Sequence, residues 1–378
     1  MSVTTPTRVF FPCTGLGRQQ RGFESFTIEC ANALRSDALL DITVFSGARV
    51  SEVTARPVWN TARDSFAARL LAALHRRGPY FSEQLTFFLS FLPHLRRGKP
   101  DVVYFADLNL GNLCWHWRRL SGQSYRLLFY NGGLTTKPFT RADLVQQLTP
   151  EGLAEATLRG EDRARQVVVP HGLNIAPVLA PRITGDARRA LGLPADRQIV
   201  LSVGLLDATV KRMDYVIREV AALPERPFLL LLGAESDETP DILQLAHDML
   251  GKENFLMRTV PRGEISSYYR ASDVFILASL REGFGLAYVE ALAHGLPVVA
   301  HDFPVSRYLL DPFATFANLE HGGEATAALL DILSSGVNEG ERRARHAFAR
   351  LRFGWDMLRE DYSAMLRRAA TMPLVGAS

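Results

Sequence analysis

Short apolar runs alternate with helical patterns along the whole chain, and this alternation restricts the fold more than any other feature. A run of four or five Val, Ile, Leu and Phe residues is too short for a buried helix. With both faces apolar it suits a strand covered on both sides, as in the βα units of a parallel sheet. In the first half the runs are Arg8–Pro12, Asp41–Phe45, Asp101–Phe105, Arg126–Tyr130 and Gln166–Val169. In the second they are Ile199–Val203, Phe228–Leu232, Phe255–Met257, Val274–Leu277 and Pro297–Ala300. Each half holds enough strands for its own doubly wound sheet, and 378 residues exceed what one core usually holds. The expected class is α/β, with two Rossmann-like domains facing a central cleft.

The turn residues Pro170-His-Gly-Leu-Asn174 and the proline-spaced stretch Ala176–Pro181 interrupt the alternation. They place domains at 1–175 and 176–352, followed by a terminal segment, 353–378. In that segment Trp355, Leu358, Tyr362 and Met365 fall on one helical face. Cys13, Cys30 and Cys114 form no C-x-x-C pair, so neither a disulfide framework nor a zinc ribbon is expected. The first eight residues lack a charged segment followed by an apolar one, and no run is long enough to span a bilayer. A cytoplasmic protein is the expectation.

The formal charge of +3 conceals an asymmetry: residues 1–175 carry 21 basic and 14 acidic side chains, while the remainder carries 22 and 26. A basic first half fits an anionic acceptor or a membrane surface, and solvated faces explain it equally simply. Within it, Phe81, Leu85, Phe88, Leu89 and Leu92 share a helical face flanked by Arg76, Arg77, Arg96 and Arg97. That face suits anionic lipid, with the helix peripheral on the inner side of a membrane, or a sheet that it covers.

Ser279–Val299 reads as loop, helix and strand. Gly283 and Gly285 permit a tight turn, and Gly295 with Pro297 marks the helix end. The free N–H groups around Phe284–Leu286 form an anion site suited to a diphosphate without a metal. Glu282 precedes the helix and Glu290 lies about two turns into it. Carboxylates accept hydrogen bonds from sugar and ribose hydroxyls, although a loop charge and a helix-surface charge would give the same spacing.

The whole string, Glu282-Gly-Phe-Gly-Leu286 followed by Glu290-Ala-Leu-Ala-His-Gly-Leu-Pro-Val-Val299, closely resembles the donor-site signature of retaining GT-B glycosyltransferases of the family 4 group. The resemblance implies that Glu282 lies near the donor sugar and Glu290 holds the ribose. The backbone of Gly283, Phe284, Gly285 and Leu286 would bind the diphosphate. Ser202-Val-Gly204 followed by Lys211-Arg-Met-Asp-Tyr215 resembles the family's glycine turn and phosphate-gripping lysine, and Gly233 its next strand end. Tyr268–Asp273, Pro170–Asn174 and the helix at Trp355, which would cross back to the first domain, resemble the family too. Where the family often has arginine after the first glycine this chain has Leu205, and Arg212 is the candidate replacement charge.

Only four of the basic residues are lysines, and Lys211 follows a strand where a mobile ammonium can neutralise a departing diphosphate. In the first domain the loop Thr14–Glu24 holds Gly15, Gly17 and Arg18, candidates to contact donor or acceptor. Gln20 stands where a dinucleotide fingerprint would need its third glycine. Asn131 occupies the place where many family members carry a histidine near the reacting sugar; its amide can position a hydroxyl but cannot act as a general base. Asp107 is read as a helix cap, with a catalytic role as the alternative.

The resemblance implies sugar transfer with retention, from a nucleotide-diphosphate donor on the second domain to a glycan, glycolipid or small-molecule acceptor on the first. UDP-sugars are favoured over GDP-sugars, and the pathway setting is polysaccharide or glycolipid assembly. Catalytic candidates are Lys211, Glu282 and Asn131. Donor-binding candidates are Gly15, Gly17, Gly204, Arg212, Gly283, Phe284, Gly285, Leu286 and Glu290. No cofactor, metal or nucleic acid is expected, since no His or Cys set has metal-ligand spacing and the acidic loop Glu235–Glu238 reads as solvated. The alternatives are a non-catalytic nucleotide-sugar-binding protein and a glycoside hydrolase using Glu282 and Glu290.

Overall fold

The computed structural model describes residues 5–19, 22–133 and 138–376; the start of the chain and Gln20 lie outside them. The chain divides into two compact units. One runs up to Asn174 and resumes at Trp355; the other is Ile175–Gly354.

In the first unit the strands are β1 (Thr7–Cys13), β2 (Leu40–Ser46), β3 (Ala55–Pro57), β4 (Val102–Phe105), β5 (Arg126–Asn131), β6 (Leu144–Gln147) and β7 (Gln166–Val168). They pair in parallel in the order β3-β2-β1-β4-β5-β6-β7. In the second they are β8 (Ile199–Val203), β9 (Phe228–Leu232), β10 (Phe255–Arg258), β11 (Val274–Leu277), β12 (Val298–His301) and β13 (Ala314–Ala317). Their order is β10-β9-β8-β11-β12-β13, again all parallel. Both sheets are doubly wound, and each reverses direction beside its first strand, between β1 and β4 and between β8 and β11. Ligands of such sheets bind outside the carboxyl ends of the strands at these reversals.

Each apolar run read from the sequence forms a strand, because helices cover both faces of the central strands; β9, for example, is buried at all five positions. Three further strands had no such signal. β3 and β13 are short edge strands of mixed polarity. β6 carries Gln146 and Gln147, both fully buried. The Gln146 amide donates to Val169 O at 2.8 Å and to Tyr362 Oη at 3.1 Å, so its polar end is satisfied inside the core.

The helix Glu339–Phe353 belongs to the second unit and stops at Gly354; a new helix, Trp355–Thr371, then packs on β1, β4, β5 and the helix Gly22–Leu34 of the first. Its Trp355 indole lies against Gly172, where a Cβ would stand 2.7 Å from the ring. The indole N–H donates to Glu29 at 3.1 Å, and Tyr362 donates to Pro170 O at 2.7 Å.

The aromatic helix with basic flanks, Pro79–Gly98, covers the first sheet. Phe87, Phe88, Phe91 and Leu95 are buried in that core and Leu92 packs against it, which leaves Leu89 as the exposed member of the expected lipid-facing stripe. Of its two readings, the sheet-covering one is the one the structure supports.

Candidate functional site

In the second unit the reversal of strand order brings the loops after β8 and β11 side by side. Gly233, at the end of β9, lets β9 lie close against the end of β8: a Cβ there would lie 1.5 Å from the carbonyl oxygen of Gly204. Beyond Gly204 the chain forms a tight loop in which Asp207 Oδ1 accepts from the backbone N–H of Val210 at 3.1 Å and of Lys211 at 2.6 Å. Glu238, from the loop after β9, accepts from Ala208 N–H at 2.9 Å and Thr209 Oγ1 at 2.8 Å. These bonds hold its carboxyl below the usual glutamate range, Thr209 contributing most. The acidic loop read as solvated therefore carries a residue that fixes its neighbour.

The loop so fixed aims Lys211 at Glu282, and the two side chains form an ion pair. The stem of Lys211 lies over Gly204, where an added Cβ would be 2.8 Å from Cγ. Arg212 is turned elsewhere: its guanidinium donates to Leu319 O at 2.6 Å and Ala278 O at 3.3 Å and stacks over Tyr215.

From Glu282 the chain passes to Gly285, whose φ of +84° favours glycine, and the helix Leu286–Ala293 begins. Gly283 has no such left-handed backbone. Gly285 makes no side-chain cap; the Tyr288 N–H donates to Gly285 O at 3.0 Å, so the donor capacity of the helix start rests on the N–H groups of Leu286 and Ala287. Phe284 is buried beside Phe353, and Tyr288, fully buried, donates to Leu277 O at 3.0 Å.

Glu290 lies four residues past Leu286, about one turn rather than two. It is 93% buried, with Arg262 2.7 Å from one oxygen and the Tyr269 hydroxyl donating to the other at 3.0 Å. Burial and the adjacent carboxylate push the Tyr269 phenol well above its ordinary value, so it remains a donor at neutral pH. Sequence reasoning missed Arg262 and this role of Tyr269. Tyr269 lay within a stretch already singled out, whereas nothing in the sequence ties Arg262 to Glu290.

In the first unit the corresponding reversal lies between β1 and β4. After β1, the Gly15 carbonyl accepts from the N–H groups of Arg18 and Gln19 at 2.9 and 2.8 Å, and Gly17 takes a φ of +83°. Arg18 donates to Asn60 O at 3.1 Å. Asp107 follows β4 at the N-cap position of the helix Leu108–Ser121, yet its carboxylate caps no helix N–H. It accepts instead from Thr14 Oγ1 at 2.9 Å and from the Tyr80 hydroxyl, so the cap expected from sequence is replaced by a bridge across the reversal. Arg63 stacks over the Tyr80 ring and pairs with buried Glu83 at 2.7 Å. Asn131 ends β5 and donates to Gln147 Oε1 at 2.8 Å. Among the described residues no group of three or more His, Cys, Asp or Glu side chains is arranged to hold a metal ion.

Residues 184–345 match the family described as glycosyl transferases group 1. A D-inositol 3-phosphate glycosyltransferase of Xylanimonas cellulosilytica is 32% identical over 223 residues, covering 55% of this chain and 52% of that protein. The Mycolicibacterium smegmatis protein of the same name is 36% identical over 148 residues, 38% of this chain and 34% of its own. The chain thus spans about half or less of the length of these curated relatives. Among solved structures, sucrose-phosphate synthase from Thermosynechococcus elongatus superposes with a TM-score of 0.78 at 18% identity, covering 96% of this chain and 98% of its own. Anabaena HepE in complex with UDP-glucose gives 0.70 at 17%, with 96% and 99% covered. The fold is GT-B, two parallel-sheet Rossmann-like units with a C-terminal helix.

Proposed function

We propose that this protein is a retaining GT-B glycosyltransferase that moves a sugar from a nucleotide-diphosphate donor to a hydroxyl acceptor. One observation carries the reading. At the strand-order reversal of the second unit, a lysine from one loop and a glutamate from the next meet beside a helix start with free N–H groups, and a second, buried glutamate lies one turn further on.

In this reading the helix N–H groups and the Lys211 ammonium bind the diphosphate, and Lys211 neutralises the charge that grows as the leaving group departs. Glu282, paired with Lys211 in this structure, orients the donor sugar. Glu290, set by Tyr269 and Arg262, accepts from ribose hydroxyls. UDP is the favoured nucleotide, supported by the UDP-glucose complex of the structurally similar HepE. The relatives' name makes polyol phosphates the first acceptors to screen. Retention is carried by the resemblance to family 4.

Calorimetric titration of the wild type with UDP, GDP and ADP tests the donor site. UDP is expected to bind without added metal, with affinity at least tenfold weaker in Glu290→Ala. Binding of none of the three would sink the reading. Nucleotide binding with no turnover of any UDP-sugar across the acceptor screen would favour a binding protein, a reading consistent with the neutral amide of Asn131. The anomeric configuration of the product, read by proton NMR, tests retention.

A further inference from the structure

The second unit has a cavity of about 470 Å³ at the amino ends of its strands, the end of the sheet opposite the loops of the candidate donor site. Asp273 stands before β11, Pro297 before β12 and Phe313 before β13, and all three line it. Helices close the sides: Ile332 comes from the helix Glu324–Ser335, Val337 from the turn that follows, and Arg342 and Arg345 from the helix Glu339–Phe353. Every lining residue belongs to the second unit. The volume is one that small-molecule sites commonly have.

Two arginines set its chemistry. Arg342 is only 6% exposed, yet among the described residues it donates from Nη1 alone, to Glu339 at 2.7 Å, which leaves Nε and Nη2 without an acceptor. The Arg345 Nε is buried without a partner, while Nη2 pairs with Glu341 at 2.6 Å and Nη1 donates to Gly295 O at 3.4 Å. Burial lowers the Arg345 guanidinium from its ordinary value, against the pull of Glu341. Glu339 and Glu341 are each 58% exposed, and ion pairs held from the solvent side contribute little. Asp273 has no charge to spare: it already accepts from Arg182, from Arg188 Nη2 at 2.9 Å and from Ile199 N–H at 2.8 Å. The helix start beside the arginines is closed, because Asn338 Oδ1 accepts from the N–H groups of Gly340 and Glu341 at 2.9 and 3.1 Å. Guanidinium donors buried with partial pairing favour a bound anion, and a phosphate has enough oxygens to serve two forks at once.

The rest of the wall selects the body that carries this anion. Asp331 is exposed at the cavity, and among the described residues its carboxylate pairs with no cation. The Gln198 amide donates to Leu333 O at 2.7 Å, which leaves its oxygen as an acceptor. Both suit hydroxyl donors, and the charge of Asp331 disfavours a second phosphate. Leu296, Pro297 and Ile332 supply the aliphatic surface on which a ring can lie.

We propose that this cavity binds a sugar phosphate, with the phosphate on Arg342 and Arg345 and the hydroxyls on Asp331 and Gln198. The site is independent of the transferase reading, since none of these residues belongs to the candidate donor site.

The test is calorimetric titration of the full chain with glucose 6-phosphate, fructose 6-phosphate and ribose 5-phosphate, each with and without saturating UDP. At least one is expected to bind about tenfold or more tightly than inorganic phosphate, with the same affinity in the presence of UDP. Arg345→Gln should weaken that binding about tenfold or more, through loss of charge-assisted hydrogen bonds. Val337→Trp, at a half-exposed position on the wall, fills the cavity and should abolish binding, which locates the ligand whether or not the arginine variant folds. UDP titration of the same preparations reports separately on the donor site. Four results would overturn the proposal: binding of none of the three, binding no tighter than that of inorganic phosphate, displacement by UDP, or unchanged binding by Val337→Trp.

Discussion

Lys211 and Glu282 sit 71 positions apart in sequence and meet as an ion pair. A diphosphate placed beside them competes with Glu282 for the ammonium and gains most when its charge is greatest, at bond breaking. Lys211→Ala should therefore lower turnover about 10²- to 10³-fold while changing UDP affinity much less, as steady-state rates and calorimetry would show. Equal losses in both would make Lys211 a ground-state binder alone. Gly233 faces a different constraint. A methyl group there has no room beside Gly204 O, so Gly233→Ala must push β8 and β9 apart at their ends. The expected cost is about 1–3 kcal/mol, read as a lower urea midpoint. Lys211 was legible as a candidate because a mobile ammonium after a strand end carries a physical meaning, and Gly233 only through its resemblance to the family's strand end. Arg262 was not, since an exposed arginine ahead of a helix looks like any solvated cation until its partner is known.

Elements behave according to what covers them. The loop Leu206–Lys211 is held by Asp207 from within and by Glu238 from the next loop. The lowered pKa of Glu238 means that its contribution is complete above the ordinary glutamate range and is lost as pH falls through the lowered folded value. Glu238→Gln keeps the shape but weakens both bonds, so at pH 7.5 it should weaken UDP binding severalfold. The same variant should flatten the acid side of the binding profile; a profile parallel to the wild type would exclude this role. The helices Phe66–His75 and Pro79–Gly98 show the limit of periodicity: both have an apolar stripe, and the stripe alone does not say what lies against it. The second helix finds the sheet, whereas the first shows its larger side chains to solvent.

At the scale of the molecule, two histidines tie stability to pH. Burial is the main cause holding His94 and His294 below their ordinary value of 6.5, with nearby arginines adding to it. Unfolded chains take up protons at these sites that the folded protein refuses, so stability is full above pH 6.5 and falls as pH drops toward the lowered folded values. The urea midpoint should decline between pH 7.5 and 5.5, and less steeply in His94→Gln/His294→Gln; an equal slope would assign the decline to other groups. By itself the sequence determined the two doubly wound sheets, because a strand buried on both faces must be apolar at consecutive positions and that pattern is local. It also determined the glycine turn before Leu286, whose left-handed backbone favours glycine. Only the tertiary structure decided that β6 buries two glutamines, that Asp107 bridges to Thr14 and Tyr80, and that Arg262 and Tyr269 hold Glu290. A polar side chain is neutral evidence in sequence because its burial depends on a partner, and strand order and packing set which distant residue that partner is.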